Sequence, residues 1–484
     1  MASRPLRSDP AAIVALLSGP GRSDLARYLT RQRWFAAKTR GAGAVAVIDW
    51  AVLEPAVPLL LLLLDVDGDR YYFPVAVAAG EGAADPVLRI EADQVIDAHD
   101  DPRFGPSVLA AVAKGRTVAG RAGRFEFRST PAWPFPPEPS AVAARRLSAE
   151  QSNTSVVLGR DLVLKTLRRP QPGINPDLEV TRFLTTRTQF RHVPRLAGWA
   201  RYDGPDPRDA TLAVMQEFVD NRGDGWKHVT STLEGRETAI RPDPDPLVED
   251  VRRLGEATGG LHAALASDPS DPNFRPEPVV PDDVARWTRD ITRDLEATDL
   301  ERLLADRPAL RAVARARARL ALEGLAGLVD ATVRIRTHGD YHLGQVLKTR
   351  DGFVIIDFEG EPARPLAERR AKLSPLRDVA GMLRSLDYAA HAVALRRAAA
   401  DRAAVLAAFT AWEELARKAF LDGYRRAVAV SAAPLVPTSE PAFRRACAAF
   451  ELEKACYELR YELDNRPDWV AIPLSGITRI LESG

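Results

Sequence analysis

The stretch His338–Glu361 reads HGDYHLGQVLKTRDGFVIIDFEGE, and the rest of the chain takes its meaning from it. Asp351-Gly352 between two apolar runs is a strong hairpin signal, because that pair accepts the positive φ of a tight turn. Folding about the turn sets Gln345 roughly opposite Asp357 at the open end, with Asp340 five residues earlier in the loop that feeds it. Asp357 and Glu359 share a strand face, since side chains alternate with period two. Two carboxylates and an amide oxygen then converge beside a third carboxylate, a hard-oxygen set suited to Mg²⁺. Phosphoryl transfer needs this arrangement: a metal-bound acid to neutralise phosphate oxygens, and a separate carboxylate to take the proton of the attacking hydroxyl. Ile355, Ile356 and Phe358 crowd Asp357 too closely for a solvated hairpin.

The same residues have a rival reading. His338-x-Asp340-x-His342 has ligand-like spacing, but a zinc hydrolase needs further ligands, usually histidines, elsewhere in the chain. The other five histidines (His99, His192, His228, His262, His391) are scattered, with no paired spacing. His338 then braces the loop, and His342 is a packed or partly exposed neighbour.

A second signal lies upstream. Asp161-Leu162-Val163-Leu164-Lys165 ends a strand-like run on a lysine, and only eight of the 67 basic residues are lysines. Fourteen residues on, Glu179 falls on a helix predicted over Pro176 to Thr185. A strand lysine paired with a helix glutamate holds a cation over the α- and β-phosphates in kinase-type folds. A lysine snorkelling from a sheet edge is the alternative. Ser152-Asn153-Thr154-Ser155 stands where a glycine-rich phosphate loop would lie; lacking glycine, it would cradle phosphate through hydroxyls and backbone N–H groups. Met215-Gln216-Glu217-Phe218 closes a strand just before the pattern turns helical, the place of a hinge whose backbone reads adenine, or of an ordinary strand end.

Length and composition set the frame. The 484 residues suit two or three domains, each with its own core. Apolar residues at 46% and charged residues at 27% exclude wholesale disorder. The net charge of +1 leaves no electrostatic footprint for nucleic acid or an acidic membrane. Cys447 and Cys456, on one helix predicted over Phe443 to Leu463, would stand roughly 13 Å apart, too far to bridge. The opening MASRPLRSDP lacks a basic-then-apolar signal pattern. The longest apolar run, Leu59 to Leu64, is a buried strand rather than a membrane span, which needs about 20 residues. The expectation is a soluble, cytoplasmic protein.

Along the chain, a helix at Asp24 to Phe35 precedes strand-like runs at Val45 to Leu53, Leu59 to Val66 and Arg70 to Ala78. Thr130 to Pro139, with five prolines, is the clearest linker. A hairpin turning near Gly159-Arg160-Asp161 and a strand at Thr211 to Phe218 follow. From Leu247 the pattern is mainly helical, interrupted by the pair at Gln345 to Phe358. A strand-rich half followed by a helix-rich half predicts two lobes with a cleft between them.

With Lys165, Glu179, His338-Gly339-Asp340 and Asp357 in this order and spacing, the chain resembles the aminoglycoside phosphotransferase-like kinases, and within them the bacterial maltokinases. The likeness rests on RWFAAK (33–38), SNTS (152–155), HGDYHLGQVL (338–347), IDFEGEP (356–362), KLSPLRDVAGM (372–382), YELRYE (457–462) and NRPDW (465–469), and so spans nearly the whole chain. It implies an α+β, bilobal, protein-kinase-like fold: an N-terminal cap over 1–128, an intermediate region completing the ATP lobe over 129–220, and a helical lobe over 221–484.

It implies ATP and Mg²⁺ as cofactors and the conversion of maltose to maltose 1-phosphate. Asp340 would be the base, with His338 bracing it; Asp357, Gln345 and Glu359 would hold the metal. Lys165 would clamp the phosphates with Glu179 as its partner, and Ser152–Ser155 and Gln216–Phe218 would surround the nucleotide. Gln345 departs from the superfamily, where this position is usually Asn, but offers the same carbonyl on a longer arm. On the C-terminal helix, Tyr457 and Tyr461 are i, i+4 neighbours, as are Glu458 and Glu462, one face for stacking on a sugar and one for accepting its hydroxyls. Those residues, with Trp469, His342 and Arg377, are the acceptor-site candidates; Arg377-Asp378 orients the catalytic loop or forms an ion pair at a helix start. A glucosamine kinase on the same scaffold and a non-catalytic pseudokinase are the alternatives. A trehalose synthase is a natural partner for the maltokinase reading.

Overall fold

The computed structural model describes residues 9–36, 41, 43–56, 58–80, 85–90, 93–147, 152–236, 245–298, 303–306, 308–397 and 402–483. It divides into two compact units, Met1–Thr186 with Pro194–Val219, and Arg187–Val193 with Asp220–Gly484.

The first unit opens with helices α1 (Pro10–Ser18) and α2 (Arg22–Arg31). An antiparallel sheet follows: β1 (Val45–Glu54), β2 (Leu59–Val66), β3 (Asp69–Tyr72), β4 (Val75–Ala79), β5 (Leu88–Ile90) and β6 (Asp93–Asp97), in the order β1-β2-β4-β6-β5 with β3 on β2. The helix expected to reach Phe35 stops at Arg31, because Gln32 is already extended. The run expected over Arg70 to Ala78 is two strands, broken where Pro74 has no N–H to give a ladder.

The six leucines form β2, and all are fully buried. Leu60, Leu62 and Leu64 pack with Tyr28, Phe35 and Tyr71, while Leu59, Leu61 and Leu63 pack with Phe104, Phe127 and Leu164. This sheet is covered on both faces. Each leucine so buried contributes roughly 2 kcal/mol of transfer free energy.

A second sheet completes the unit. After α3 (Phe104–Ala113) come β7 (Thr117–Ala119), β8 (Arg124–Ser129), β9 (Ala144–Arg146), β10 (Asn153–Leu158), β11 (Leu162–Leu167), α4 (Pro176–Arg187), β12 (Leu196–Asp203) and β13 (Ala210–Glu217), in strand order β7-β8-β12-β13-β11-β10-β9. The proline-rich stretch runs between β8 and β9 of this one sheet. β10 and β11 form the expected hairpin, turning at Gly159 with φ 64° and pairing Ser155 with Lys165.

The second unit is mainly helical: α5 (Gly225–Glu234), α6 (Pro246–Leu265), α7 (Pro281–Glu296), α8 (Pro308–Glu323), α9 (Leu366–Arg369), α10 (Leu376–Leu395), α11 (Arg402–Val428), α12 (Glu440–Asn465) and α13 (Ala471–Ser483). Two short strand pairs interrupt it, β14 (Glu277–Pro278) with β15 (Val333–Arg334), and β16 (Val346–Lys348) with β17 (Phe353–Ile355). Helices α6 and α11 meet backbone to backbone: a Cβ on Gly255 would sit 2.1 Å from the Phe420 carbonyl oxygen, so only glycine fits. Cys447 and Cys456 share α12, both buried and unbridged. Among the described residues, no helix is long and apolar enough to cross a membrane.

Candidate active site

The hairpin of the second unit pairs Val346 with Ile355 and Lys348 with Phe353. One step further out, the Ile356 N–H donates to the Gln345 carbonyl at 3.0 Å, and Gln345 Nε2 donates to Asp357 Oδ2 at 3.1 Å. The two side chains therefore meet at the open end, as the turn implies. The strand-face argument for Glu359 does not hold, because β17 ends at Ile355 and Asp357 lies in the left-handed region with φ 66°. A non-glycine there costs about 1–2 kcal/mol and persists where its surroundings fix it. The turn out of the sheet still leaves the carboxylate oxygens of Asp357 and Glu359 within 4.8 Å of one another. Two anions at that distance, beside an amide, form an all-oxygen donor set that a hard divalent cation would relieve of its repulsion, so the residues fit Mg²⁺.

The loop bearing Asp340 is held from several sides. His338 lies between Tyr341 and Phe358, with centroids 5.2 and 4.9 Å away. Its Nε2–H donates to the Ile356 carbonyl at 2.9 Å, which leaves Nδ1 to accept the Asp340 N–H at 3.4 Å. Behind the loop, α10 presents Asp378, Gly381 and Ser385 at helical spacing on one face. The Asp378 carboxylate accepts from the N–H groups of His338 (2.7 Å) and Gly339 (3.0 Å) and from His262 Nε2 (3.1 Å). A Cβ at Gly381 would stand 2.5 Å from the Tyr341 carbonyl, and Ser385 Oγ accepts the Leu343 N–H at 3.1 Å. Burial by itself would raise the Asp378 pKa, but His262 and the loop amides outweigh it and hold the carboxyl below its usual range. Asp378 thus orients the loop. Arg377 does not pair with it; Arg377 donates to Glu453 at 2.7 Å and lies over the rings of Phe450 and Trp287.

Asp340 is partly exposed, with Lys454 Nζ at 3.9 Å and His342 Nε2 at 4.0 Å. It opens onto a pocket walled by Glu361, Arg364, Arg377, Glu453, Lys454 and Tyr457. Glu361 accepts from Arg364 at 2.6 Å and is hydrogen-bonded to Tyr457. Burial and the adjacent Glu361 push Tyr457 up to about 12, so its hydroxyl stays a donor.

The remaining acceptor candidates lie elsewhere. Glu458 accepts from the buried Arg384 at 2.9 Å, and Glu462 binds Arg466 and the Tyr388 hydroxyl; the expected acidic face is an internal ion-pair seam. Tyr461 and Trp469 both lie against the Arg466 guanidinium, and Trp469 also stacks on Tyr388. Neither lines the pocket at Asp340. The sequence reading passed over Glu361, Arg364, Glu453 and Lys454. The scarcity of lysine, which singled out Lys165, applied equally to Lys454, three residues before Tyr457.

In the first unit, Lys165 lies on a strand paired on both sides, opposite Ser155 and Val214, so it is no edge lysine. Its Nζ is 3.2 Å from the buried Asp177 Oδ2. Asp177 stands in the first turn of α4, where Asn175 Oδ1 accepts its N–H at 2.8 Å. Glu179, also buried, follows two residues later on the same helix. Asp177 was missed in the sequence because its carboxylate is as ordinary there as any in a first turn.

One nucleotide expectation needs correction. Asn153, Thr154 and Ser155 already belong to β10 rather than to a turn; Thr154 and Ser155 are buried, and Thr154 Oγ1 accepts from Arg168 Nε at 2.8 Å. In the hinge stretch, Gln216 Nε2 donates to Thr181 Oγ1, and Glu217 binds Arg195 through both carboxylate oxygens. The N–H groups of Glu217 and Phe218 donate to the carbonyls of Arg195 (2.9 Å) and Asp161 (2.7 Å). Those two donors are engaged within the unit.

Comparison with known proteins bears on the whole. Residues 28–101 match the family model of the maltokinase N-terminal cap domain. A glucosamine kinase of Streptacidiphilus jiangxiensis is 28% identical over 347 residues, 70% of this chain and 73% of that protein. A glucosamine kinase of Mycolicibacterium smegmatis (strain ATCC 700084 / mc(2)155) is 27% identical over 348 residues, 71% of this chain and 81% of the relative. The solved structure of a glucosamine kinase in complex with glucosamine, ADP and inorganic phosphate superposes with a TM-score of 0.66 at 23% identity, covering 91% of this chain and 94% of the other. The fold is thus the expected α+β one, with a strand-rich N-terminal part and a helical C-terminal part.

Proposed function

We propose that this chain, a maltokinase-type member of the aminoglycoside phosphotransferase-like kinases, transfers the γ-phosphoryl group of ATP to the anomeric hydroxyl of maltose. The observation that carries the reading is Asp340: a loop carboxylate fixed by Asp378 and His338, facing a pocket with an aromatic wall at Tyr457. Asp340 accepts the proton of the sugar hydroxyl, and such a positioned base contributes about 10²–10⁴-fold. Lys165, oriented by Asp177, steadies the phosphates. Gln345, Asp357 and Glu359 would hold Mg²⁺, which neutralises phosphate charge when bound. The ADP and phosphate in the related glucosamine kinase structure support a nucleotide donor.

Glucosamine is the second reading, favoured by the relatives' activity. Against it, Lys454 stands 3.9 Å from Asp340, and the wall carboxylates Glu361 and Glu453 are already matched by Arg364 and Arg377. A neutral sugar meets less repulsion there than an ammonium does. ADP release with ATP and Mg²⁺, measured against maltose, glucosamine and glucose, decides the matter. Turnover with maltose alone is expected, falling about 10³-fold in Asp340→Asn. Turnover with glucosamine alone would keep the mechanism and overturn the acceptor, and an unimpaired Asp340→Asn enzyme would overturn the mechanism.

A further inference from the structure

The cap's sheet ends at Asp97, a helical turn carries His99 and Asp100 just beyond it, and these three side chains grip the nucleotide sheet of the same unit. β11 carries the phosphate-clamp lysine in its middle. Its neighbours Thr166 and Arg168, two residues apart, turn to the face opposite Lys165, and both are buried. His99 Nε2 lies 2.8 Å from Thr166 Oγ1, and His99 Nδ1 lies 2.7 Å from Asp97 Oδ1. Arg168 donates through Nη2 to Asp97 Oδ2 at 2.5 Å and through Nε to Thr154 Oγ1 on β10 at 2.8 Å. Its carbonyl accepts the Tyr72 N–H at 3.0 Å, and its guanidinium lies 4.7 Å over the Trp34 ring. Nearer the surface, Asp100 pairs with Arg146 of β9 at 2.5 Å. Three of four consecutive cap residues thus tie down β9 and β11, and through Arg168 also β10.

We propose that the segment Asp97 to Asp100 is a positioning element for the nucleotide: it fixes β9, β10 and β11 in the register and tilt that bring Lys165 to the phosphates of ATP. Stability alone is a poor reason for the arrangement, because a buried ion pair gains little over apolar packing of the same volume. What charge-assisted bonds add is direction. They fix the guanidinium of Arg168, three residues from Lys165, far more narrowly than apolar contact does. His99 completes the set as a neutral ring, since burial and Arg168 push its pKa down to about 4 against the pull of Asp97. The cap is then part of the catalytic apparatus through position, without touching substrate.

This inference rests on the reading of Lys165 as the phosphate clamp. Its test is calorimetric titration of the full-length chain with ATP in Mg²⁺ and no sugar, alongside melting temperatures and a titration with maltose. Asp97→Asn keeps the shape and removes the charge; a rise of at least tenfold in the ATP Kd is expected, with the maltose Kd within twofold of wild type. Asp100→Ala and Arg146→Ala fall on a partly exposed pair, so both fold. Each is expected to weaken ATP two- to fivefold at unchanged melting temperature, and the swap Asp100→Arg with Arg146→Asp to restore it. Wild-type ATP binding in all three single variants, with or without lost stability, overturns the positioning role alone. A wild-type chain that binds no ATP overturns the clamp and the positioning role together.

Discussion

Asp378 accepts the main-chain N–H of His338 at 2.7 Å from a position almost wholly closed to water. The proposed base at Asp340 is therefore aimed by a helix behind the loop as well as by His338 within it. Asp378→Ala leaves the buried His338 N–H without its acceptor, at about 1–3 kcal/mol, and releases the Gly339 N–H beside it. The loop then relaxes, and a displacement of an ångström at a reacting group costs about 10² in rate. Turnover of this variant is expected to fall at least about 100-fold while the sugar KM moves little. Wild-type turnover would show that His338 suffices.

Asp177 Oδ2 lies 3.2 Å from Lys165 Nζ. Asp177→Asn preserves volume and removes the charge, so the ATP KM is expected to rise about tenfold, a charge-assisted bond being worth roughly 1.5 kcal/mol more than a neutral one. Initial rates over a range of ATP at saturating sugar give the number, and an unmoved KM would shift the clamp's orientation to other groups.

Among the aromatic candidates the structure separates Tyr457 from Trp469. Tyr457→Ala is expected to raise the sugar KM about tenfold, in keeping with about 1 kcal/mol for loss of a ring contact plus its buried area. Trp469→Ala unstacks Tyr388 and Arg466; it is expected to lower the melting temperature and leave KM in place. The opposite pattern would move the acceptor to the end of α12.

His99 gives the fold a dependence on pH. Its pKa in the folded protein is about 4, against about 6.5 for a free histidine. Between those values the unfolded chain binds a proton that the folded one refuses. Stability therefore rises with pH across that window and is lost as pH falls from about 6.5 towards 4. A shift of that size is worth on the order of 3 kcal/mol. Urea midpoints of the wild type are expected to fall over this range, and those of His99→Gln to fall less above pH 5. Equal slopes would assign the loss to other groups.

What the sequence disclosed follows the range of the interactions. Asp351-Gly352 and Gly159 are local turn signals: Gln345 meets Asp357 as expected, and the hairpin at Gly159 forms. Asp378 and Gly381 were quoted as motif, yet their work on the loop depends on α10 passing behind residues some forty positions earlier. The Tyr457/Tyr461 and Glu458/Glu462 spacing was sound as helix geometry. It failed as chemistry because Arg384 and Arg466 claim both glutamates from positions no periodicity reveals. Asp357 left its strand through a positive φ that nothing in its neighbours announces.

β2 carries a consequence of another kind. A slip of one residue within Leu59–Leu64 exchanges leucine for leucine on both faces, so the run cannot specify its own alignment. That information sits at its margins, where Asp65 holds Arg70 and the Gly68 N–H, and where β1 breaks step between Val47 and Asp49 and again between Val52 and Glu54. The strand with the most apolar sequence in the chain is placed by its few polar neighbours, and a neutral residue at position 65 would leave it free to misalign while losing almost nothing from its core.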